Sequence, residues 1–198
     1  ARNWPGARAV CRALNGPGTR DAAVAKAHDM MAQPSRTDQL TGLLNRSASA
    51  EEPSRRLPHL RRHGRCGALL YLDLDNFKPV NDLYGHQRGD QALRAVAGLL
   101  QHDCRAADLV GRLGGDEFVL WLEDTGRTGA SAKAATLVQA VAGLNAEYGA
   151  PGRPFGISVG IAVSGGDETI TELFERGDTA MYDAKHAGKG TVAFAPAA

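Results

Sequence analysis

A chain of 198 residues with 23 basic and 22 acidic side chains, net charge +1, can bury one sizeable core but not two domains of ordinary size. The near balance of charge excludes a global nucleic-acid or membrane surface, so partners must be argued from local patterns. No run of about 18 apolar residues is present, so no membrane span is expected. The three cysteines, Cys11, Cys66 and Cys104, are odd in number and lack metal-type spacing. That pattern suits a reducing cytoplasm better than a disulfide framework. The first residue is Ala rather than Met, which leads us to expect a piece of something longer.

Residues 1–35 combine Pro5, Gly6, "NGPG" and Pro34 around a short helical patch in "DAAVAKAHDMM", the texture of a linker or the tail of a preceding module. The domain proper is expected over 36–197. "TDQLTGLLNR" begins polar and continues apolar, which predicts the start of a helix. "CGALLYLDLD", an apolar run between glycines and acids, predicts a buried strand. In "GDQALRAVAGLLQHDC", Ala92, Leu93, Val96, Leu99 and Leu100 recur at helical spacing. "DLVGRL" and "EFVLWLE" predict two strands, and the glycine pair between them signals a hairpin. "SAKAATLVQAVAGLNAEYG" predicts a helix, "FGISVGIAVS" a strand and "TITELFERGDTAMYDAKHAGK" a last helix. This order, without strict alternation and with a hairpin in its middle, predicts an α+β fold: a central, mainly antiparallel sheet flanked by helices.

The acids fall at strand ends. In "GRLGGDEFVL" two glycines and two adjacent acids interrupt a strand-forming run, a destabilising way to build a mere turn. In "YLDLDNF", Asp73 and Asp75 share one face because side chains alternate with period two. If that strand lies beside the hairpin, Asp73 approaches Asp116 and Glu117, and three carboxylates meet at one edge. Carboxylates about 4 Å apart repel by roughly 1 kcal/mol in water and several-fold more near a protein surface, so the group asks for cations. Hard oxygen ligands with room for phosphate point to Mg²⁺ or Mn²⁺ and, with the metal, to a nucleotide. Asp75 alone reads equally well as a strand cap facing water.

The run Gly114, Gly115, Asp116, Glu117, Phe118 resembles the signature of the GGDEF family of diguanylate cyclases. It is accompanied in the family's order by "DQLTGLLNR", "DLDNFKPVND", "GHQRGD" and "AMYDAKHAGK", so the resemblance covers about 37–195. It implies a five-stranded sheet similar to the nucleotidyl cyclases and the polymerase palm. It also implies condensation of two GTP into cyclic di-GMP, with release of two pyrophosphates, across a homodimer. Asp73 and Asp116 then look like the metal-binding carboxylates, assisted by the backbone carbonyl of Leu74. Glu117 looks like a second-metal or 3′-hydroxyl-facing acid. Asp73, Asp116 and Glu117 are thus the implied catalytic set, with two Mg²⁺ or Mn²⁺ per active half-site.

The same resemblance assigns the substrate contacts. Gly114 and Gly115 leave room for the α-phosphate. Asn76, Phe77 and Lys78 resemble the cradle for the β- and γ-phosphates. Lys185 and Lys189, at i and i+4 on the last helix, look like phosphate-binding cations. Asn81 and Asp90 correspond to guanine readers. A carboxylate accepts from guanine N1–H and its exocyclic amine, which adenine does not offer in that form, so Asp90 favours GTP over ATP. Asp90 also reads as the N-cap of the helix that follows. Arg105 and Asp108 of "RAAD" resemble the family's inhibitory site, which implies feedback by cyclic di-GMP. A sensor domain upstream in the full-length chain is implied too; no nucleic-acid partner is.

Pro53 and Pro58 fall where the family runs a continuous first helix. Proline inside a helix costs roughly 3 kcal/mol, so that helix is expected to be broken or to begin late. Gly177 and Gly190 replace residues usual in the frame around Lys185 and Lys189. Two functions stand: an active diguanylate cyclase, or a catalytically silent module that binds GTP or cyclic di-GMP for regulation. The intact acids at 73, 116 and 117 favour the first, and Asp90 disfavours a cyclase making another product.

Overall fold

In chain order the elements are α1 (Arg46–Arg62), β1 (Ala68–Asp75), α2 (Phe77–Tyr84), α3 (His86–His102), β2 (Leu109–Gly114), β3 (Glu117–Leu122), α4 (Arg127–Ala142), α5 (Asn145–Tyr148), β4 (Gly156–Val163), α6 (Ile170–His186) and β5 (Val192–Phe194). The computed structural model describes residues 35–197. The linker expected over 1–35 lies, but for its last residue, outside the described residues. Among the described residues no helix is long and apolar enough to cross a membrane.

The expected sheet is present: among the described residues it has five strands in the order β2-β3-β1-β4-β5. Every pairing is antiparallel except β4 with β5, which run parallel through α6 as the crossover. The central strand β1 is buried at all eight positions, which is why its sequence reads as a continuous apolar run. Its alternate residues feed two cores. Leu70, Leu72 and Leu74, with Phe118, Leu120 and Ile157, face Val96 and Leu100 of α3 and Leu137 of α4. Leu69 and Tyr71, with Trp121, face Leu57 and Leu60 of α1 and Leu173 and Met181 of α6. Burying one leucine contributes about 2 kcal/mol, so the two layers fix the height of β1 between them. Asp73 and Asp75 continue the Leu69–Tyr71 face to the strand end, on the side of α6.

Two local expectations change. "TDQLTGLLNR" does not start a helix; it forms a strap of turns. Asp38 Oδ1 accepts from the Thr41 amide at 2.9 Å and its hydroxyl at 2.6 Å, an Asx-type arrangement that competes with helical bonding. The Gly42 amide donates to the Asp38 carbonyl, and Gly42 has φ +74°. The helix begins only at Arg46, where Asn45 Oδ1 accepts from the Ala48 amide at 3.0 Å as N-cap.

That helix, α1, is unbroken from Arg46 to Arg62 with Pro53 and Pro58 inside it, contrary to expectation. The reason is tertiary. Pro53 is itself buried beside Ala48, Leu57 and Leu60, and that apolar stripe on the sheet outweighs the lost amide donors.

A short helix that the sequence reading did not assign, α2, follows β1 directly. Pro79 is the third residue of α2, within the first turn, where an amide would have no intrahelical partner.

Candidate active site

The register between β1 and β3 sets Asp73 directly across from Glu117, and the Leu74 amide donates to the Asp116 carbonyl at 3.2 Å. The two-residue turn Gly115–Asp116 thereby hangs over the end of β1. Gly114 has φ +138° and Gly115 φ +53°, and a Cβ on either would meet no protein atom within 4 Å. The glycines are required by backbone conformation, and the space beside them is open.

Asp73 is only 7% exposed. Lys185 Nζ on α6 comes within 2.5 Å of its Oδ1. Burial, first, and the nearby charges of Asp116 and Glu117 push the Asp73 carboxyl up to about 6 even with the ammonium beside it. Glu117 is held from the other side: Arg46 Nη2 lies 3.3 Å from its Oε2, and Arg46 Nε donates to the Leu113 carbonyl at 3.0 Å. Among the described residues no three acidic, histidine or cysteine side chains converge closely enough to cage an ion alone. The three expected acids are neighbours rather than a closed cluster. Two carboxylates with surplus negative charge, beside the open space at Gly114 and Gly115, still fit a hard divalent ion, which protein sites hold through one or two carboxylates plus phosphate oxygens.

The expected phosphate contacts surround this edge. Phe77 and Lys78 are the first two residues of α2, whose opening amides have no intrahelical acceptor. Asn76 precedes them with φ +59°; its Nδ2 donates to the Pro154 carbonyl at 2.7 Å, and its Oδ1 accepts from Lys189 Nζ at 2.9 Å. Lys189 therefore lies against Asn76, but not by way of the expected helical face. The helix ends at His186, and Lys189 lies in the following turn with φ +64°, between Gly188 and Gly190, so it shares no helical face with Lys185.

Asn81 on α2 and Asp90 on α3 are both half-buried. A Cβ on Gly89 would lie 2.0 Å from Asn81 Oδ1, so the missing side chain at 89 is what lets Asn81 lie against α3. Asp90 is not an N-cap, because α3 already starts at His86 and Asp90 is its fifth residue.

Arg105 and Asp108 lie in the loop between α3 and β2. They form no ion pair with each other. Asp108 instead ties backbone together: its Oδ2 accepts from the Arg105 amide at 3.0 Å and its Oδ1 from the Glu123 amide at 3.3 Å. Both residues border a recess of about 250 Å³ that Lys133, Thr125 and Gly126 also line.

Sequence reasoning missed Asp38, Arg46 and Arg112. Arg112, at 10% side-chain exposure, contacts Asp38 and donates through Nε and Nη2 to the Gly115 carbonyl at 3.1 and 2.7 Å. The Asp-x-x-Thr spacing could have announced the turn at Asp38; no local pattern announces its distant partner.

The model of the family described as diguanylate cyclase, GGDEF domain, matches residues 35–191. The chain belongs to the GGDEF family. Among curated relatives, diguanylate cyclase DgcM of Escherichia coli is 40% identical over 164 residues, covering 78% of this chain and 37% of DgcM. Cyclic di-GMP phosphodiesterase PdeR of Escherichia coli is 38% identical over 161 residues, 78% of this chain and 23% of PdeR. The chain thus spans well under half the length of these relatives. Among solved structures, the GGDEF domain of DgcB from Caulobacter crescentus, in complex with c-di-GMP, superposes with a TM-score of 0.74 at 28% identity, over 82% of this chain and 94% of that one.

Proposed function

We propose that this GGDEF domain condenses two GTP into cyclic di-GMP and releases two pyrophosphates, in bacterial signalling. The observation that carries the reading is the meeting of Asp73, Asp116 and Glu117 at one end of β1 with Lys185 beside Asp73. The name of DgcM and the c-di-GMP complex of DgcB support it.

Asp73 and Asp116, with the Leu74 carbonyl, are the residues that would hold a divalent metal, as the family generally requires. Our proposal is Mg²⁺ or Mn²⁺, two per half-site. When bound, the ions neutralise charge on the leaving pyrophosphate and lower the pKa of the attacking 3′-hydroxyl. Glu117 faces that hydroxyl or a second ion. Asn76, Phe77 and Lys78 cradle the β- and γ-phosphates, and Lys185 and Lys189 balance their charge. Gly114 and Gly115 admit the α-phosphate, while Asn81 and Asp90 read guanine. Each domain holds one GTP, so the reaction needs a homodimer in which each 3′-hydroxyl attacks the partner's α-phosphate. Arg105 and Asp108 would bind the product and give feedback inhibition. Asp108 retains lone pairs beyond the two it shares with amides, and Arg105 forms no ion pair among the described residues. We place the reaction in the cytoplasm, under a sensor domain upstream in the full-length protein.

The test is purified protein with GTP and Mg²⁺ at high concentration, chromatographed for pyrophosphate and cyclic di-GMP, with Asp116→Asn as control. Absence of product would overturn the reading. The similarity to PdeR, a phosphodiesterase by name, favours the second reading, a silent GTP- or cyclic di-GMP-binding regulatory module. Binding without turnover in the same assay would establish it.

A further inference from the structure

Asp75 lies two residues past Asp73 on the same face of β1 and is more deeply buried, at 3% exposure. A buried carboxylate is strongly unfavourable unless its lone pairs are satisfied, yet Asp75 forms no ion pair among the described residues. Its two oxygens go to two different elements. The Ser158 hydroxyl on β4 donates to Oδ1 at 2.8 Å, and the Gly190 amide donates to Oδ2 at 2.8 Å. Gly190 closes the turn after α6, where Lys189 and Gly190 both have positive φ, 64° and 57°. A lysine in that conformation persists only where its surroundings hold it. The hydrogen bond at Gly190 is the hold next in sequence, and it leaves Lys189 Nζ on Asn76 at the mouth of the site.

We propose that Asp75 is a positioning residue: it anchors the turn after α6 and thereby aims Lys189 at the polyphosphate end of the nucleotide. The proposal rests on the cyclase reading for the identity of that nucleotide. An anchor of this kind needs two hydrogen-bond partners and no charge. Asparagine supplies them, because its carbonyl can accept from Gly190 while its amide donates to Ser158 Oγ, and a hydroxyl both gives and takes. A metal ligand, by contrast, would lose its function on the same substitution.

The experiment measures two quantities in wild type, Asp75→Asn and Asp75→Ala. The first is hydrogen-exchange protection of the Gly190 amide in the free protein. The second is affinity for 3′-deoxy-GTP, which lacks the attacking hydroxyl, with Mg²⁺ by calorimetry. Asp75→Asn is expected to keep the protection and to bind within about twofold of wild type. Asp75→Ala is expected to lose the protection and to bind about tenfold more weakly, the scale of one or two hydrogen bonds. In a Lys189→Ala background, where there is nothing left to aim, the effect of Asp75→Ala should shrink to about twofold. Equal loss in Asp75→Asn and Asp75→Ala, or a tenfold loss that survives Lys189→Ala, would overturn the proposal. Should Asp75→Ala not fold, Asp75→Asn decides alone: weakened binding or lost protection overturns the anchor. If wild type binds no 3′-deoxy-GTP, the cyclase reading fails. The anchor then stands or falls on whether Gly190 protection follows the Asn and Ala substitutions as expected.

Discussion

Asp38 and Arg112 are 74 positions apart, yet Arg112 Nη1 lies 3.0 and 3.1 Å from the two oxygens of the Asp38 carboxylate. The same guanidinium holds the Gly115 carbonyl, so one side chain fastens the entering strap to the turn that carries Asp116. Truncation leaves the part-buried Asp38 carboxylate with only its Thr41 donors and takes the Arg112 donors from the Gly115 carbonyl. Arg112→Ala is therefore expected to lower unfolding free energy by about 2 kcal/mol in urea denaturation. Arg112→Lys should recover only part of it, because an ammonium cannot span both acceptors as the planar fork does.

The same pair sets a pH dependence. Burial alone would raise Asp38, but hydrogen bonds from Thr41 and Arg112 outweigh it and hold the carboxyl below its ordinary 3.8. A depressed folded pKa means the unfolded chain takes up the proton first. The Asp38 contribution is thus present above the unfolded value and is lost as pH falls through the folded one. Denaturation midpoints followed from pH 6 down to pH 3 should drop more steeply in wild type than in Asp38→Asn, and identical slopes would remove Asp38 from the account.

Asp116→Asn keeps the size of the side chain at the hairpin turn and removes its charge. Cyclic di-GMP formation is expected to fall by about 100-fold or more. The Asp116 backbone carbonyl still receives the Leu74 amide, so the melting temperature should move little. A large fall in melting temperature would mean that the carboxylate is structural.

Gly89→Ala tests the guanine side. The new methyl would sit 2.0 Å from Asn81 Oδ1 and 3.2 Å from Phe77 Cζ, so Asn81 must turn away. The expected loss of stability is about 1 kcal/mol. Steady-state kinetics should show KM for GTP raised about tenfold with kcat nearly unchanged. Unaltered KM would separate Asn81 from base recognition.

What could be read in the sequence follows the range of the physics involved. β1, the hairpin and α3 announced themselves because burial and periodicity are local: Leu70, Leu72 and Leu74 are apolar whichever element covers them. Pro53 and Pro58 misled. The helix runs through both, with Pro53 in a buried stripe on the sheet, and that burial is not visible in a window of neighbours. Lys185 and Lys189 have helical spacing in sequence, but the helix ends between them at His186, and Gly188 and Gly190 flank Lys189 in the turn that follows. Their convergence on the β1 edge comes from a reversal of the chain that spacing alone does not contain. The Asp38–Arg112 and Asp75–Gly190 contacts depend on how distant elements pack.

The strap has a further consequence. Leu44 pairs with the outer side of β2: it bridges to Gly111, its amide donates to Val110 and its carbonyl accepts from Arg112. An open strand edge is a template for uncontrolled association between chains. Here one edge is stapled at its middle, and the other ends in β5, only three residues long. Both edges of the sheet therefore offer little to strand-by-strand addition of a second copy.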